Sequence, residues 1–464
     1  MIATFTVEDV VRGTQGALVG GDLGVSVRGV SIDSRTLTVG EVFFAIRGHQ
    51  LDGHAYLGDA AARGASCVVV HALSDDLPAS VPAVLVDDTT RALGRFAAHH
   101  RARFTLPVAA VTGSNGKTTT KEMMAAVLGA LGPVLKPESS FNNQWGLPLT
   151  LLRLTSEHRA VALELGANQP GEIAVLAGIS RPTVGAVTVV SSAHTEFLGS
   201  LDGVQAEKSA LVRAIAPEGA VALNADDPRV LAMRELARCR VLTFSARQPA
   251  DVRSVGPVEE TAAGLRFTLE IAGARRSVLL GFAGRHNVIN ALAAAAVGWA
   301  VGLDLARIAT GLEAARPIKG RCVWRRAGTL RVLDDTYNAN PVSVAAALDT
   351  LAAGADARRR VVVLGDMLEL GELAEGAHRE AGRAVAASGA VEFVGMGAHA
   401  RVAVEAARQA GLVESHHTTT FEDTVALLLK RLAPGDALLV KGSRGMRMER
   451  VVDALIARFG GGDG

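Results

Sequence analysis

An apolar run, Val108 to Thr112, breaks into Gly113-Ser114-Asn115-Gly116-Lys117-Thr118 and resumes as an amphipathic stretch from Lys121 to Leu131. That order predicts strand, tight loop, helix, which commits this part of the chain to an α/β layout. Backbone N–H groups of such a loop converge on anionic oxygens, and the start of the helix adds partial positive charge. Lys117 can reach the β- and γ-phosphates of a nucleotide, and the Thr118 hydroxyl can ligate Mg²⁺. Gly113, Ser114, Asn115, Gly116 and Thr119 complete the expected cradle, so the expected ligand is a nucleoside triphosphate. The usual phosphate-loop pattern has one more glycine, where this chain has Val111, leaving the compact form Gly-x-x-Gly-Lys-Thr. A short glycine turn can be purely structural; Lys117, Thr118 and the helix behind them favour phosphate binding.

The chain has 464 residues, enough for two to four domains with their own cores. Hydrophobic residues make up 49% and charged residues 20%, which excludes a disordered chain. A formal net charge of +1 gives no global field for nucleic acid or an anionic membrane. Cys67, Cys239 and Cys322 are scattered, with no C-x-x-C pair, which argues against a disulfide framework or a cysteine zinc site and fits a reducing compartment. The N-terminal residues lack a basic segment before an apolar core, so no signal peptide is expected. The longest apolar run, Ala291 to Leu303, is short of the ~20 residues that cross a bilayer. A cytoplasmic enzyme without membrane insertion is expected, acting as a monomer.

Short apolar runs and helical stretches divide the chain into three expected units: 1–105, a small α/β unit; 106–316, a parallel sheet covered on both faces; and 317–464, a second doubly wound unit. In the first, strands are expected at Val27–Ile32, Val42–Ile46, Cys67–Val70 and Val84–Val86, with helices at Ala55–Arg63 and Leu93–Arg103. The middle unit should hold strands at Val108–Thr112, Ala160–Leu165, Val184–Val190, Ala220–Asn224 and Val241–Phe244. Val252 to Leu280 alternates around turn residues and predicts antiparallel hairpins, and two helices should follow.

Several polar residues interrupt this pattern. Glu164 ends a predicted buried strand, where a carboxylate is costly unless paired or metal-bound. Ligands of open α/β sheets gather outside the carboxyl ends of the strands, so Glu164 is a candidate Mg²⁺ ligand beside Thr118. A capping or salt-bridged glutamate is the alternative. His194 follows the next strand and should lie at the same sheet edge; Lys208, on the helix beyond, reads by itself as a solvated lysine. Phe141-Asn142-Asn143-Gln144-Trp145 and Asp334-Asp335-Thr336-Tyr337-Asn338-Ala339-Asn340-Pro341 are rich in amides, as recognition of a peptide requires. Capping would explain one such residue more easily than a cluster.

Taken in order, these pieces resemble the Mur ligase family of ATP-dependent amino-acid and peptide ligases over essentially the whole chain. The shared pieces are Gly113 to Thr118, Glu164, His194 with Lys208, His286 to Asn290, Gly320-Arg321 and Lys441-Gly442-Ser443-Arg444. Asp33-Ser34-Arg35 with Asp52-Gly53 resembles the family's uridine-nucleotide domain. Phe141 to Asn143, Leu223 to Pro228 and Tyr337 to Pro341 resemble the branch that adds a dipeptide.

The resemblance implies an α/β protein of three domains: a uridine-nucleotide domain, a central ATPase domain and a C-terminal Rossmann-like domain that closes over ATP. It implies ATP and two Mg²⁺ ions, with D-alanyl-D-alanine and UDP-N-acetylmuramoyl-tripeptide as substrates. Carried over by residue, Ser34 and Arg35 would contact the uridine nucleotide, Lys117 the phosphates, Thr118 and Glu164 one Mg²⁺, and His194 the second. Lys208 would support that second metal as a carbamate. Asn287 and Asn290 would contact adenine, and Arg321 and Asp335 would close on ATP. Asn142, Asn143, Tyr337 and Asn338 would contact peptide. A family member adding a free diamino acid, and a nucleotide-binding regulator without catalysis, are the alternatives.

Overall fold

The computed structural model describes residues 3–48, 51–74, 77–78, 80–138, 141–191, 195–354 and 359–461. Three larger sheets and one two-stranded ribbon organise the chain. The first is five-stranded and ordered Ala17–Val19, Ala83–Leu85, Cys67–Val70, Val42–Phe44, Val30–Ser31, all parallel but the Ala17–Val19 edge. The helix after it runs Thr89–Arg101 rather than the expected 93–103, because the Asp88 carboxylate accepts the Arg91 N–H and starts it earlier. Phe96 of that helix shares one buried cluster with Phe44 on one side and Leu163 and Leu176 on the other, so the first unit is seated on the central one.

The central sheet has nine strands. Val108–Thr112, Ala160–Glu164 and Ala220–Asn224 are buried at every residue, as parallel strands covered on both faces must be. Val108–Thr112 lies between Ala160–Glu164 and Val184–Val187. The chain leaves it to one side, through Val134–Leu135 and Ala160–Glu164, and returns on the other. That makes Val108–Thr112 the topological switch point, where ligands of such sheets bind. The antiparallel hairpins expected over Val252 to Leu280 adjoin these parallel strands. Val252–Thr261 pairs parallel with Arg240–Ser245 and then antiparallel with Gly264–Ile271, which pairs with Ala274–Leu280. The hairpins therefore extend the same sheet. Helices Lys117–Leu128, His286–Ala300 and Leu305–Ala314 pack over one face through Met124, Val127, Leu292, Val297, Ile308 and Leu312. Among the described residues, no helix is long and apolar enough to cross a membrane.

The third sheet has six strands, parallel except for the Val323–Ala327 edge. Leu330–Asp335 and Ala437–Lys441 are neighbours in register, so Asp335 lies opposite Lys441 at their carboxyl ends.

Candidate active site

The loop after Val108–Thr112 closes against its neighbours through backbone. Gly113 takes φ 149 and Gly116 φ 80, conformations that side chains rarely adopt. Space forbids a side chain as well: a Cβ on Gly113 would lie 1.9 Å from Thr188 Oγ1, and one on Gly116 2.3 Å from Asn290 Oδ1. Thr188 Oγ1 donates to the Asn115 carbonyl at 2.6 Å, and the Ser114 hydroxyl donates to the Ser191 carbonyl at 3.0 Å. Helix Lys117–Leu128 begins at Gly116 with no side-chain cap, which leaves its first N–H groups to an anion.

Lys117 folds back over this loop, its Nζ donating to the carbonyls of Gly113 at 2.9 Å and Ser114 at 3.4 Å. Burial pulls its ammonium below the ordinary lysine range; Glu164 opposes that shift and Arg321 adds to it. Glu164 is buried at the end of the adjacent strand. Its Oε1 accepts from Asn142 Nδ2 at 2.7 Å, while its Oε2 is buried without a partner among the described residues. A desolvated carboxylate oxygen of this kind needs a cation. Thr118 is also buried, and its Oγ1 accepts from Arg321 Nη2 at 3.0 Å. Arg321 comes from beyond the central sheet, its guanidinium 3.9 Å above the Tyr337 ring and its Nε unpartnered.

Lys208 is the residue least legible in the sequence. It is 1% exposed rather than solvated, and burial, with Lys117 adding, pulls its amine down to about 7 against the opposing Glu207 and Glu172. Glu207 accepts the Gly171 and Ile173 N–H groups at 2.6 and 2.7 Å, which ties the start of helix Glu172–Ser180 to the Lys208 helix. His194, expected to hold a second metal, lies outside the described residues, as do Ser139 and Ser140.

The amides act within the protein. Asn290 Nδ2 donates to Asn287 Oδ1 at 2.8 Å, and Asn287 Nδ2 to the Ala283 carbonyl at 2.7 Å. Asn290 Oδ1 accepts from Thr120 at 3.3 Å, which puts this pair directly under the phosphate loop. Asn143 Oδ1 caps a short helix by accepting the Trp145 and Gly146 N–H groups at 3.2 and 2.9 Å. A cavity of about 260 Å³ opens between Asn143 and the Gly166–Leu176 segment. In the turn after strand Val30–Ser31, Arg35 is exposed and paired with Asp33, whose carboxyl falls to about 2 because Arg35 donates to it; Ser34 is buried beside them.

Across from the loop, Asp335 is fully engaged: Oδ1 accepts the Cys322 N–H at 3.1 Å and Oδ2 accepts from Lys441 Nζ at 2.5 Å. Lys441 also donates to the Asn338 carbonyl at 2.8 Å. Arg444 stands 5.5 Å from the Tyr337 ring, so two guanidinium groups address one of the chain's two tyrosines. The sequence reading gave Lys441 and Arg444 no individual role. A lysine ending the apolar run Ala437–Val440 is the signal that could have found the first.

Comparison with known proteins agrees with this arrangement. The Mur ligase middle domain matches residues 111–298, the glutamate ligase domain of Mur ligases 320–444, and the Mur ligase catalytic domain 26–101. A UDP-N-acetylmuramoyl-tripeptide–D-alanyl-D-alanine ligase of Escherichia coli is 37% identical over 447 residues, covering 95% of this chain and 96% of the relative. The Mycobacterium tuberculosis protein of the same name is 36% identical and covers 92% of both. A MurF crystal structure from Acinetobacter baumannii superposes with a TM-score of 0.90 at 32% identity, over 98% of this chain and 99% of that one. MurF from Thermotoga maritima in complex with ADP gives 0.81 at 25% identity, over 93% and 98%. With such similarity from end to end, the chain belongs to the Mur ligase family.

Proposed function

We propose that this chain joins D-alanyl-D-alanine to UDP-N-acetylmuramoyl-tripeptide, cleaving ATP to ADP and phosphate, in the synthesis of peptidoglycan precursor. The observation that carries this reading is its 37% identity over 95% of its length to a relative of that name. The site geometry supports the reaction class. A carboxylate and a triphosphate repel each other, and bringing them together requires fixed positive charge in a space without water. Lys117, the uncapped helix start and Arg321 supply that charge.

The donor set also fits Mg²⁺, which takes one or two carboxylates plus phosphate oxygens. Thr118 Oγ1 and the unpartnered Oε2 of Glu164 would hold one ion, and Lys208 with His194 would support a second. When bound, the metal neutralises charge on the transferring phosphoryl group. An amine pulled down to about 7 has a sizeable neutral fraction at neutral pH, the form that adds CO₂ to become a carbamate, which supports its reading as a metal-supporting residue. The tripeptide's terminal carboxylate takes the γ-phosphoryl group, releasing ADP. The dipeptide amine then displaces phosphate at the acyl carbon, forming the new amide. Lys117 holds the transferring group, and Asn142 holds Glu164 in orientation. The chain's part in the second step is to exclude water from the acyl-phosphate.

The same reading assigns 1–105 to the uridine nucleotide through Ser34 and Arg35, 106–316 to ATP, and 317–464 to closure and the dipeptide. Asn287 and Asn290 are assigned to adenine, and Asn143, Tyr337 and Asn338 to peptide; Asp335, expected at ATP, is held by Lys441 and the Cys322 N–H and braces that side of the site. The reading extends to a monomer in the cytoplasm, a reducing compartment in which Cys67, Cys239 and Cys322 stay free.

Phosphate release tests the reading, with UDP-N-acetylmuramoyl-tripeptide present and D-alanyl-D-alanine added or withheld. Release with both, and a product heavier by one dipeptide, is expected. Release with a free diamino acid instead would move the chain to another branch of the family, and no release with any acceptor would leave a nucleotide binder.

A further inference from the structure

Asn340 stands where the C-terminal sheet faces the phosphate loop. It is 9% exposed and N-caps helix Pro341–Ala353, its Oδ1 accepting the Ser343 N–H at 2.9 Å while Ser343 Oγ accepts its own N–H at 3.0 Å. That local duty consumes the carboxamide oxygen and fixes the orientation of the amide. The remaining Nδ2 donates across the interface to Asn115 Oδ1 at 2.7 Å, over a sequence separation of 225. Asn115 is locked in turn: its Nδ2 donates to Ser191 Oγ at 3.2 Å and its carbonyl accepts from Thr188 at 2.6 Å. We propose that the Asn115–Asn340 pair is a closure latch, a positioning contact that seats the C-terminal domain on the phosphate loop and ties it to the Ser191 strand end.

Two features set this contact apart from its neighbour. Arg321 also crosses the interface, but to Thr118 Oγ1, an atom assigned above to the metal, so nucleotide must compete for that bond. Asn340 bonds only to the Asn115 side chain across the interface, and so occupies neither Thr118 nor the loop's N–H groups. The latch can therefore persist through binding and turnover. The helix whose cap makes it follows directly on Tyr337 and Asn338, so seating the cap also sets where Arg321 and the Tyr337 ring come to rest. The inference rests on the nucleotide reading above, though not on the identity of the acceptor.

A double-mutant cycle tests it, with ADP affinity measured by calorimetry on the full-length protein as wild type, Asn340→Ser, Asn115→Ala and the double variant. Serine keeps the helix cap and loses the reach, so the Tm of Asn340→Ser should stay at the wild-type value. A neutral hydrogen bond corresponds to about a 3- to 10-fold loss of ADP affinity in each single variant. The double variant should bind no more weakly than the weaker single one. With both substrates, kcat should fall in parallel while KM for the uridine nucleotide substrate holds. Small-angle scattering of nucleotide-free protein reads the same contact without ligand, and all three variants should expand alike. Wild-type affinity and radius in Asn340→Ser, or losses that multiply, would overturn the latch. Wild type that binds ADP but ligates nothing, with a coupled cycle, would overturn the assigned reaction and leave the latch standing.

Discussion

The two doubly wound sheets meet carboxyl edge to carboxyl edge, and each brings an acid and a lysine to that edge, in opposite states. Glu164 on the central sheet has a buried oxygen with no partner among the described residues, and its lysine neighbour Lys117 is spent on loop carbonyls. Asp335 on the C-terminal sheet has both oxygens engaged, one by Lys441 at 2.5 Å. At the central edge the acid waits for a partner, and at the C-terminal edge the Asp335–Lys441 pair is closed. Unsatisfied buried polar groups mark where a ligand must finish the structure, whereas a closed ion pair marks a brace. The same pair of residue types thus serves chemistry on one sheet and rigidity on the other.

The strongest test of that contrast is Lys117→Ala. If Lys117 serves the phosphoryl group, its loss lowers turnover on the order of 10³-fold. Circular dichroism should show an intact fold, because a desolvated ammonium is removed. Near-normal turnover would end the distinction. The next test sets the two acids against each other. Glu164→Gln keeps an acceptor for Asn142 and removes an unpaired charge, so activity should fall on the order of 10²-fold with no loss of Tm. Lys441→Met leaves Asp335 uncompensated and should cost about 3 kcal/mol of stability in denaturant titration. If Glu164→Gln proves the destabilising change, the assignment of brace and site is reversed.

The smallest effect is on pH dependence. Lys208 is held near 7 in the fold and returns to about 10.4 when unfolded. Between those values the unfolded chain binds more protons, so metal-free protein gains stability from this group as pH rises from 7 to 10. Below about 7 both states are charged and the burial penalty is complete. Lys208→Met should raise Tm at pH 7 and flatten that slope; an unchanged slope would show the lysine is not desolvated.

Much of the site is readable in the sequence. The Gly113–Thr118 loop and Glu164 announce themselves because local backbone geometry and a charge at the end of an apolar strand are properties of adjacent residues. The Asp88 cap was just as local and was overlooked, which displaced one helix start by four residues. Other features had no local signal. The hairpins of Val252 to Leu280 were expected, but their fusion to the central sheet depends on the pairing of Phe244 and Val252. The amides expected to contact peptide also hold protein groups in place, Asn142 on Glu164 and Asn143 on a helix start. An amide serves either purpose equally well.

The sequence alone determined the α/β class, the phosphate loop and the family, since these follow from runs of neighbouring residues and their order. Only the tertiary structure decided that Lys208 is buried with its amine pulled down to about 7, that Glu164 Oε2 lacks a partner among the described residues, and that Arg321 and Asn340 reach Thr118 and Asn115 across 203 and 225 residues. Desolvation and long-range hydrogen bonds depend on which surfaces fold together, and no stretch of neighbouring residues contains that information.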